Sequence, residues 1–185
     1  YTLFGGASLI VTATPMKKVN FDTRKVITPV VQMTSVPVMV TASPAIAVTS
    51  VKELIALAKA KPGTLNYAST GIGSASHLCG LMFLDKVGVK VEGVGYRGTG
   101  PAMADLLAGQ FDFMCDQTTG TTGPIRDGKI QGYAVTTKFK VASVPNLPTL
   151  DSTAMPGFEV SAWHAMWAPK GLPKDVQDKL VAALQ

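Results

Sequence analysis

Three short segments rich in glycine, serine and threonine carry the residues best suited to bind an anion. They cover residues 69–74, 96–100 and 116–123, and each follows a strand-like stretch. The first two run directly into predicted helices, whose first-turn N–H groups lack intrahelical acceptors and carry partial positive charge. Such helix ends bind carboxylates and phosphates without a basic side chain. The pattern therefore predicts an anion site built mainly from backbone amides.

Catalytic chemistry is the alternative, with Ser74 or Cys115 as the nucleophile of a hydrolase or transferase and His77 as its base. Ser74, however, lies in Gly-Ile-Gly-Ser-Ala rather than in the G-x-S-x-G order of a nucleophile elbow. Cys115 ends an apolar stretch, which is typical of a buried structural cysteine. We therefore expect a binding protein rather than an enzyme.

Cofactor and metal motifs are equally weak. Residues 93–98 fit the G-x-G-x-x-G pattern, but the first two glycines fall inside a predicted strand rather than in the turn after it. No cluster of histidine, cysteine, aspartate and glutamate has the spacing of metal ligands. The sequence predicts neither a cofactor nor a bound metal.

Strand-like and helix-like patterns alternate along most of the chain, which predicts an α/β fold with a parallel sheet. Residues 27–42 are interpreted as two strands broken by prolines, and 116–123 as a loop. The helix after Ser74 carries Leu81 and Met82 at helical spacing, and the next helix is predicted to begin at Pro101. In such a sheet the three anion-binding segments would gather at the carboxyl ends of the strands.

Composition and charge limit the class of protein. The chain has 185 residues, 46% of them hydrophobic and 16% charged, which suits one domain or two small lobes and excludes disorder. Its net charge of +5 comes from scattered basic residues and its aromatic content is 7%, so nucleic-acid binding is not expected. No apolar run is long enough to span a bilayer. The two cysteines, Cys79 and Cys115, could pair only if their Cα atoms come within about 7 Å, and we expect two free buried thiols instead.

Two longer segments resemble a known family. They are Leu65-Asn-Tyr-Ala-Ser-Thr-Gly-Ile-Gly-Ser-Ala-Ser-His77 and Tyr96-Arg-Gly-Thr-Gly-Pro-Ala-Met-Ala-Asp-Leu-Leu-Ala-Gly-Gln110. Both resemble the solute-binding proteins of tripartite tricarboxylate transporters, also called the Bug family. Shorter matches follow in order to Trp163, and Tyr1-Thr-Leu matches as well, so the resemblance covers nearly the whole chain.

The resemblance implies a two-lobed periplasmic-binding-protein architecture of the type II-like, Venus flytrap kind. Residues 1–35 and 138–185 would belong to the first lobe and 36–137 to the second. Family members carry further residues before the Tyr-Thr-Leu strand, so the first lobe is expected to lack its N-terminal stretch. The implied function is capture of a small organic carboxylate between the lobes, for delivery to membrane permease subunits. The carboxylate would be a di- or tricarboxylate, an amino acid or an aromatic acid, and the protein would be a periplasmic monomer.

The resemblance and the strand-end positions together select the expected ligand-binding residues. Most would donate backbone amides, while His77 could instead pack its helix, and Asp116 and Gln117 could recognise an amino group or another polar group. The expected set is Ser8, Ser69, Thr70, Gly71, Gly73, Ser74, His77, Tyr96, Gly98, Thr99, Gly100, Ala102, Asp116 and Gln117.

Overall fold

The computed structural model describes residues 4–5 and 22–184. Contacts between residues divide the chain into two compact units, Tyr1–Ser35 with Ala162–Gln185, and Val36–Ser161. The first unit has few described elements, and one of its strands, β2, continues into the second unit. They are β1 (Phe4–Gly5), α1 (Thr23–Val26), the first part of β2 (Ile27–Ala42), β7 (Ser161–Pro169) and α7 (Lys174–Leu184). Strand β1 pairs antiparallel with β7.

The second unit contains the predicted anion-binding segments. Its elements after β2 are α2 (Val51–Ala60), β3 (Asn66–Ser69), α3 (Ala75–Val87), β4 (Glu92–Gly95), α4 (Thr99–Leu107), β5 (Phe113–Gln117), α5 (Thr118–Arg126), β6 (Gln131–Val135) and α6 (Leu150–Thr153). The α/β class predicted from the sequence is confirmed.

Contacts between residues group 138–161 with the second unit, and the predicted lobe boundaries stay a prediction. Two hydrogen bonds fasten this segment to the end of β6. The Val160 N–H donates to the Thr136 carbonyl at 3.1 Å, and the Thr136 hydroxyl donates to the Val160 carbonyl at 2.6 Å. Val144 is also buried in one cluster with Met39 and Val135. These contacts pack the segment against β2 and β6.

The sheet of the second unit is mixed, so the prediction of a parallel sheet is only partly right. Strand β3 pairs in parallel with both β4 and β5, but β2 pairs antiparallel with β5 and β6. Residues 27–42 form one strand rather than two, and Pro37 lies just before the segment of this strand that pairs with β5. The carboxyl ends of β3, β4 and β5 therefore lie at one edge.

Helix α3 begins at Ala75, as predicted, but it buries a different face. Leu81 and Met82 are 45% and 47% exposed, while Cys79 and Phe83 are buried. The buried face is fixed by a disulfide between Cys79 and Cys115 of β5, whose Cα atoms lie 6.0 Å apart, within the range for such a bond. The expectation of two free thiols is wrong, because the fold brings two distant buried cysteines together.

The ring of Tyr67 on β3 fills the space between two glycines. A Cβ atom built at Gly80 of α3 or at Gly93 of β4 would lie 2.5 Å from this ring, on the Cε2 and Cε1 sides respectively. Tyr67 is 3% exposed. The ring therefore cannot move away from one glycine without approaching the other.

We expect Gly93→Ala to lower the free energy of unfolding by about 1–3 kcal/mol, the usual cost of overpacking a core. Gly95→Ala is the matched control in the same strand, because nothing lies within 4 Å of a Cβ built there. Urea unfolding of both variants measures the difference. Equal stability of the two variants would show that the Tyr67 ring relaxes freely.

Candidate functional site

Three strand-to-helix junctions meet at the carboxyl edge of β3, β4 and β5. Residues 70–74 join β3 to α3, and Tyr96–Gly98 join β4 to α4. The third junction differs from prediction, since β5 ends at Gln117 and α5 begins at Thr118 with no loop between them. All three junctions therefore present a helix N-terminus rather than only two.

Direct contacts hold the three junctions together. The Tyr96 N–H donates to the Ser69 carbonyl at 2.8 Å, which joins the ends of β4 and β3. The Ser76 hydroxyl in the first turn of α3 donates to the Cys115 carbonyl of β5. The third contact joins Gly120 of α5 to Thr99 of α4, so closely that a Cβ atom added at Gly120 would lie 2.7 Å from the Thr99 methyl group. The first turns of α4 and α5 are therefore in close contact.

The 70–74 loop uses several of its own amides. The Thr70 N–H donates to the Ser76 hydroxyl at 3.2 Å, the Gly73 N–H to His77 Nδ1 at 3.3 Å, and the Ser74 N–H to the Gly71 carbonyl at 3.1 Å. Those three N–H groups are engaged within the chain. The loop accordingly supports the start of α3, where the N–H groups of Ala75 and Ser76 have no acceptor among the described residues.

Ser74 and His77 stabilise this loop together. The Ser74 hydroxyl caps α3 by accepting from the His77 N–H at 3.2 Å, and it donates to the Gly71 carbonyl at 2.7 Å. His77 Nδ1 is occupied by the Gly73 N–H, and Cys115 is in the disulfide. These contacts give no support to a serine–histidine or cysteine–histidine catalytic pair.

Helix α4 presents backbone amides that a ligand could use. It begins at Thr99, two residues before the predicted start, so Pro101 falls in the first turn, where its missing N–H breaks no helical bond. Gly98 precedes the helix with φ +106°, a conformation that favours glycine. Within the described part of the chain, the N–H groups of Gly98, Thr99 and Gly100 have no acceptor.

Tyr96 and Ala102 flank these amides but face the core. The Tyr96 hydroxyl donates to Asp105 Oδ2 at 2.7 Å, and its ring packs against Phe111 with centroids 5.6 Å apart. Burial and the neighbouring Asp105 raise the pKa of the Tyr96 hydroxyl. Ala102 is fully buried in the same cluster. Both residues position α4, and the Tyr96 amide is already bonded to Ser69.

Helix α5 adds amides that the sequence did not predict, those of Thr118, Thr119 and Gly120 in its first turn. Threonine and glycine are poor helix formers, which explains the loop prediction. Here the Thr121 hydroxyl donates to the Gln117 carbonyl at 3.0 Å, and Thr118 and Thr121 are buried. Thr121 and Ile125 follow Thr118 by three and seven residues, and this helical spacing was the signal that could have predicted α5.

Asp116 lies beneath the N-termini of α4 and α5 and is 1% exposed. Its Oδ1 accepts from the Gln117 N–H at 2.8 Å. Its Oδ2 has no hydrogen-bond partner among the described residues, and the Thr99 hydroxyl lies near this carboxyl group. Burial raises the pKa of this carboxyl, and the Thr99 hydroxyl and Gln117 amide oppose that rise. The half-buried Gln117 is therefore better placed than Asp116 to contact a ligand.

Ser8 lies outside the described residues. Among residues 4–5 and 22–184, no group of three or more histidine, cysteine, aspartate and glutamate side chains could hold a metal ion. None of the helices in that part of the chain is long and apolar enough to cross a membrane.

Solved structures place this fold among periplasmic binding proteins. The periplasmic binding protein BugD matches with a TM-score of 0.88 and 40% identity, over 100% of this chain and 62% of its own. MatC from Rhodopseudomonas palustris with bound malate matches with 0.84 and 31%, over 98% and 62%. R. palustris Rpa4515 with adipate matches with 0.91 and 27%, over 98% and 61%. The fold is that of a periplasmic binding protein.

Residues 1–185 match the family described as "Tripartite tricarboxylate transporter family receptor", and the chain belongs to that family. A curated relative from Agrobacterium vitis, a UPF0065 protein, is 44% identical over 72% of this chain and 38% of its own length. Protein BugT of Bordetella pertussis is 30% identical over 92% of this chain and 53% of its own. The chain spans about half the length of these relatives or less.

Proposed function

We propose that this protein works in the periplasm, where it binds a small organic carboxylate at the N-termini of α3, α4 and α5. It then delivers this carboxylate to a membrane permease. The observation that carries the proposal is the meeting of three helix N-termini at one sheet edge. The convergence rests on the contacts between Tyr96 and Ser69, Ser76 and Cys115, and Thr99 and Gly120. Capture between two lobes, by a monomer, remains part of the proposal.

Backbone amides are sufficient for useful affinity. A hydrogen bond to a charged acceptor contributes about 1.5–3 kcal/mol when desolvated. Two or three such bonds would support micromolar binding after the cost of association. Gly98, Thr99 and Gly100 offer three N–H groups at one helix end, where the partial positive charge also favours an anion.

Three further observations support the proposal. The solved structures of similar proteins include one with malate and one with adipate, both carboxylates. The disulfide between Cys79 and Cys115 suits an oxidising compartment such as the periplasm. Family membership supports delivery to a permease of the tripartite tricarboxylate kind.

The proposed ligand-binding residues fall into donors and supports. We propose direct amide donation from the starts of α4 and α5, contact by Gln117, and a contribution from His77 through its second ring nitrogen. Ser8 stays a prediction for the first lobe. The remaining predicted residues hold the helix ends in place: Ser69, Thr70, Gly71, Gly73, Ser74, Tyr96, Ala102 and Asp116.

A thermal-shift panel tests this function. Malate, adipate, citrate, glutamate and benzoate are compared with uncharged analogues such as adipamide. A ligand at about 100 times its dissociation constant adds about 2.7 kcal/mol of stability, which is a shift of several degrees. We expect at least one acid to raise the melting temperature while its amide does not. Equal behaviour of every acid and its uncharged analogue would contradict the proposal.

A further inference from the structure

A buried carboxyl group lies where the proposed ligand's negative charge would be held. Asp116 is 1% exposed, and its Oδ2 lacks a hydrogen bond of good geometry among the described residues. A Cβ built at Gly120 would lie 3.8 Å from this Oδ2, which places the carboxyl group against the first turn of α5. Thr99, the first residue of α4, is its other close neighbour.

The two protonation states of Asp116 would act on an anion in opposite ways. An ionised Asp116 cancels the partial positive charge of the two helix ends and repels a second negative charge close by. A protonated Asp116 leaves that partial charge available. Because Asp116 is buried, it acts on a ligand through its charge rather than by contact.

The residues that surround the Asp116 carboxyl group on the neighbouring elements carry no charge. Asp116 faces Met39 on β2, Thr99 on α4 and Gly120 on α5, none of which is charged. Within the described residues the effects resolved on its pKa are burial, the Thr99 hydroxyl and the Gln117 amide. Two titratable side chains of the neighbouring helices are engaged elsewhere: His77 of α3 accepts from the Gly73 N–H, and Asp105 of α4 accepts from the Tyr96 hydroxyl.

We infer that Asp116 couples carboxylate binding at the α4 and α5 N-termini to the uptake of one proton, so that the site selects ligands by charge. The inference rests on the proposed function, since it concerns the same site. Burial already places the Asp116 pKa above its ordinary value. Binding an anion beside it raises that pKa further, because the ligand favours the protonated form.

The sign of the pH effect follows from this linkage. Below the pKa of the free protein, Asp116 is protonated in both states and affinity is highest. As the pH rises through the free and then the bound pKa, affinity falls. A like charge held nearby raises a carboxyl pKa, and a rise of about one unit corresponds to a factor of ten, so we expect affinity about tenfold or more weaker at high pH.

Calorimetric titration with adipate, or with the panel acid that stabilises most, tests the coupling from about pH 4, the ordinary carboxyl range, to about pH 8. Asp116→Asn keeps the shape and removes the ionisation, so any titration of the ligand itself affects both proteins equally. We expect the wild type to weaken with pH and to take up protons on binding, and Asp116→Asn to do neither. Buffers with different ionisation enthalpies report the proton uptake.

A second measurement does not depend on the variant's folding. The Asp116 carboxyl carbon is titrated by NMR in the wild type, with and without the acid, and a pKa that rises on binding supports the inference. Matching pH profiles of the two proteins, or a bound pKa that falls, would overturn it. A falling pKa would instead indicate that an ionised Asp116 attracts a cationic group. Failure of every acid to bind at either pH rejects the proposed function, which is a separate result.

Discussion

Replacing Cys79 and Cys115 together by alanine should lower the free energy of unfolding by about 4 kcal/mol. The disulfide joins residues 36 positions apart, and closing a loop of that length restricts the unfolded chain by about this amount. For a chain of this size the melting temperature should fall by about 8–16 °C. Thermal unfolding followed by circular dichroism measures the change.

Chemical reduction gives an independent control for this prediction. A thiol reductant that opens the disulfide should lower the melting temperature of the wild type by a similar amount and leave the double alanine variant unchanged. Both cysteines are buried, so reduction requires prior opening of the structure. A double variant as stable as the wild type would show that packing of α3 on β5, rather than the covalent link, holds them together.

The second large effect concerns ligand affinity. Thr99→Pro removes one N–H group from the start of α4, at a position where proline fits a helix well. Gly98 before it has ψ 176°, extended backbone that a following proline tolerates. Losing one hydrogen bond to a charged ligand costs about 1.5–3 kcal/mol, so the dissociation constant should rise about 10- to 150-fold.

Thr99→Ala is the matched control, because it keeps the N–H group and removes the same hydroxyl and methyl. Calorimetric titration of both variants with the panel acid that stabilises most separates the amide from the side chain. We expect the proline variant to bind at least about tenfold more weakly than the alanine variant. Equal affinity of the two would remove the α4 amides from the site.

Local sequence signals located most of the elements that build this edge. The helix start after Ser74, the strand before residues 69–74 and the glycine-rich segment before α4 were each visible in the sequence. They are local because a turn or a helix start depends on a few neighbouring residues. Helix α5 escaped prediction, since threonine and glycine disfavour a helix that here is stabilised by burial of Thr118 and Thr121.

The amino-acid sequence by itself determined the α/β class, the family and the three segments rich in glycine, serine and threonine. Only the tertiary structure decided which amides remain open. It engaged those of Thr70, Gly73 and Ser74 within one loop and left those of Gly98, Thr99 and Gly100 without a described acceptor. It also joined Cys79 to Cys115 and buried Asp116 beneath two helix ends. These features depend on contacts between residues far apart in the chain, and spacing along the sequence does not encode them.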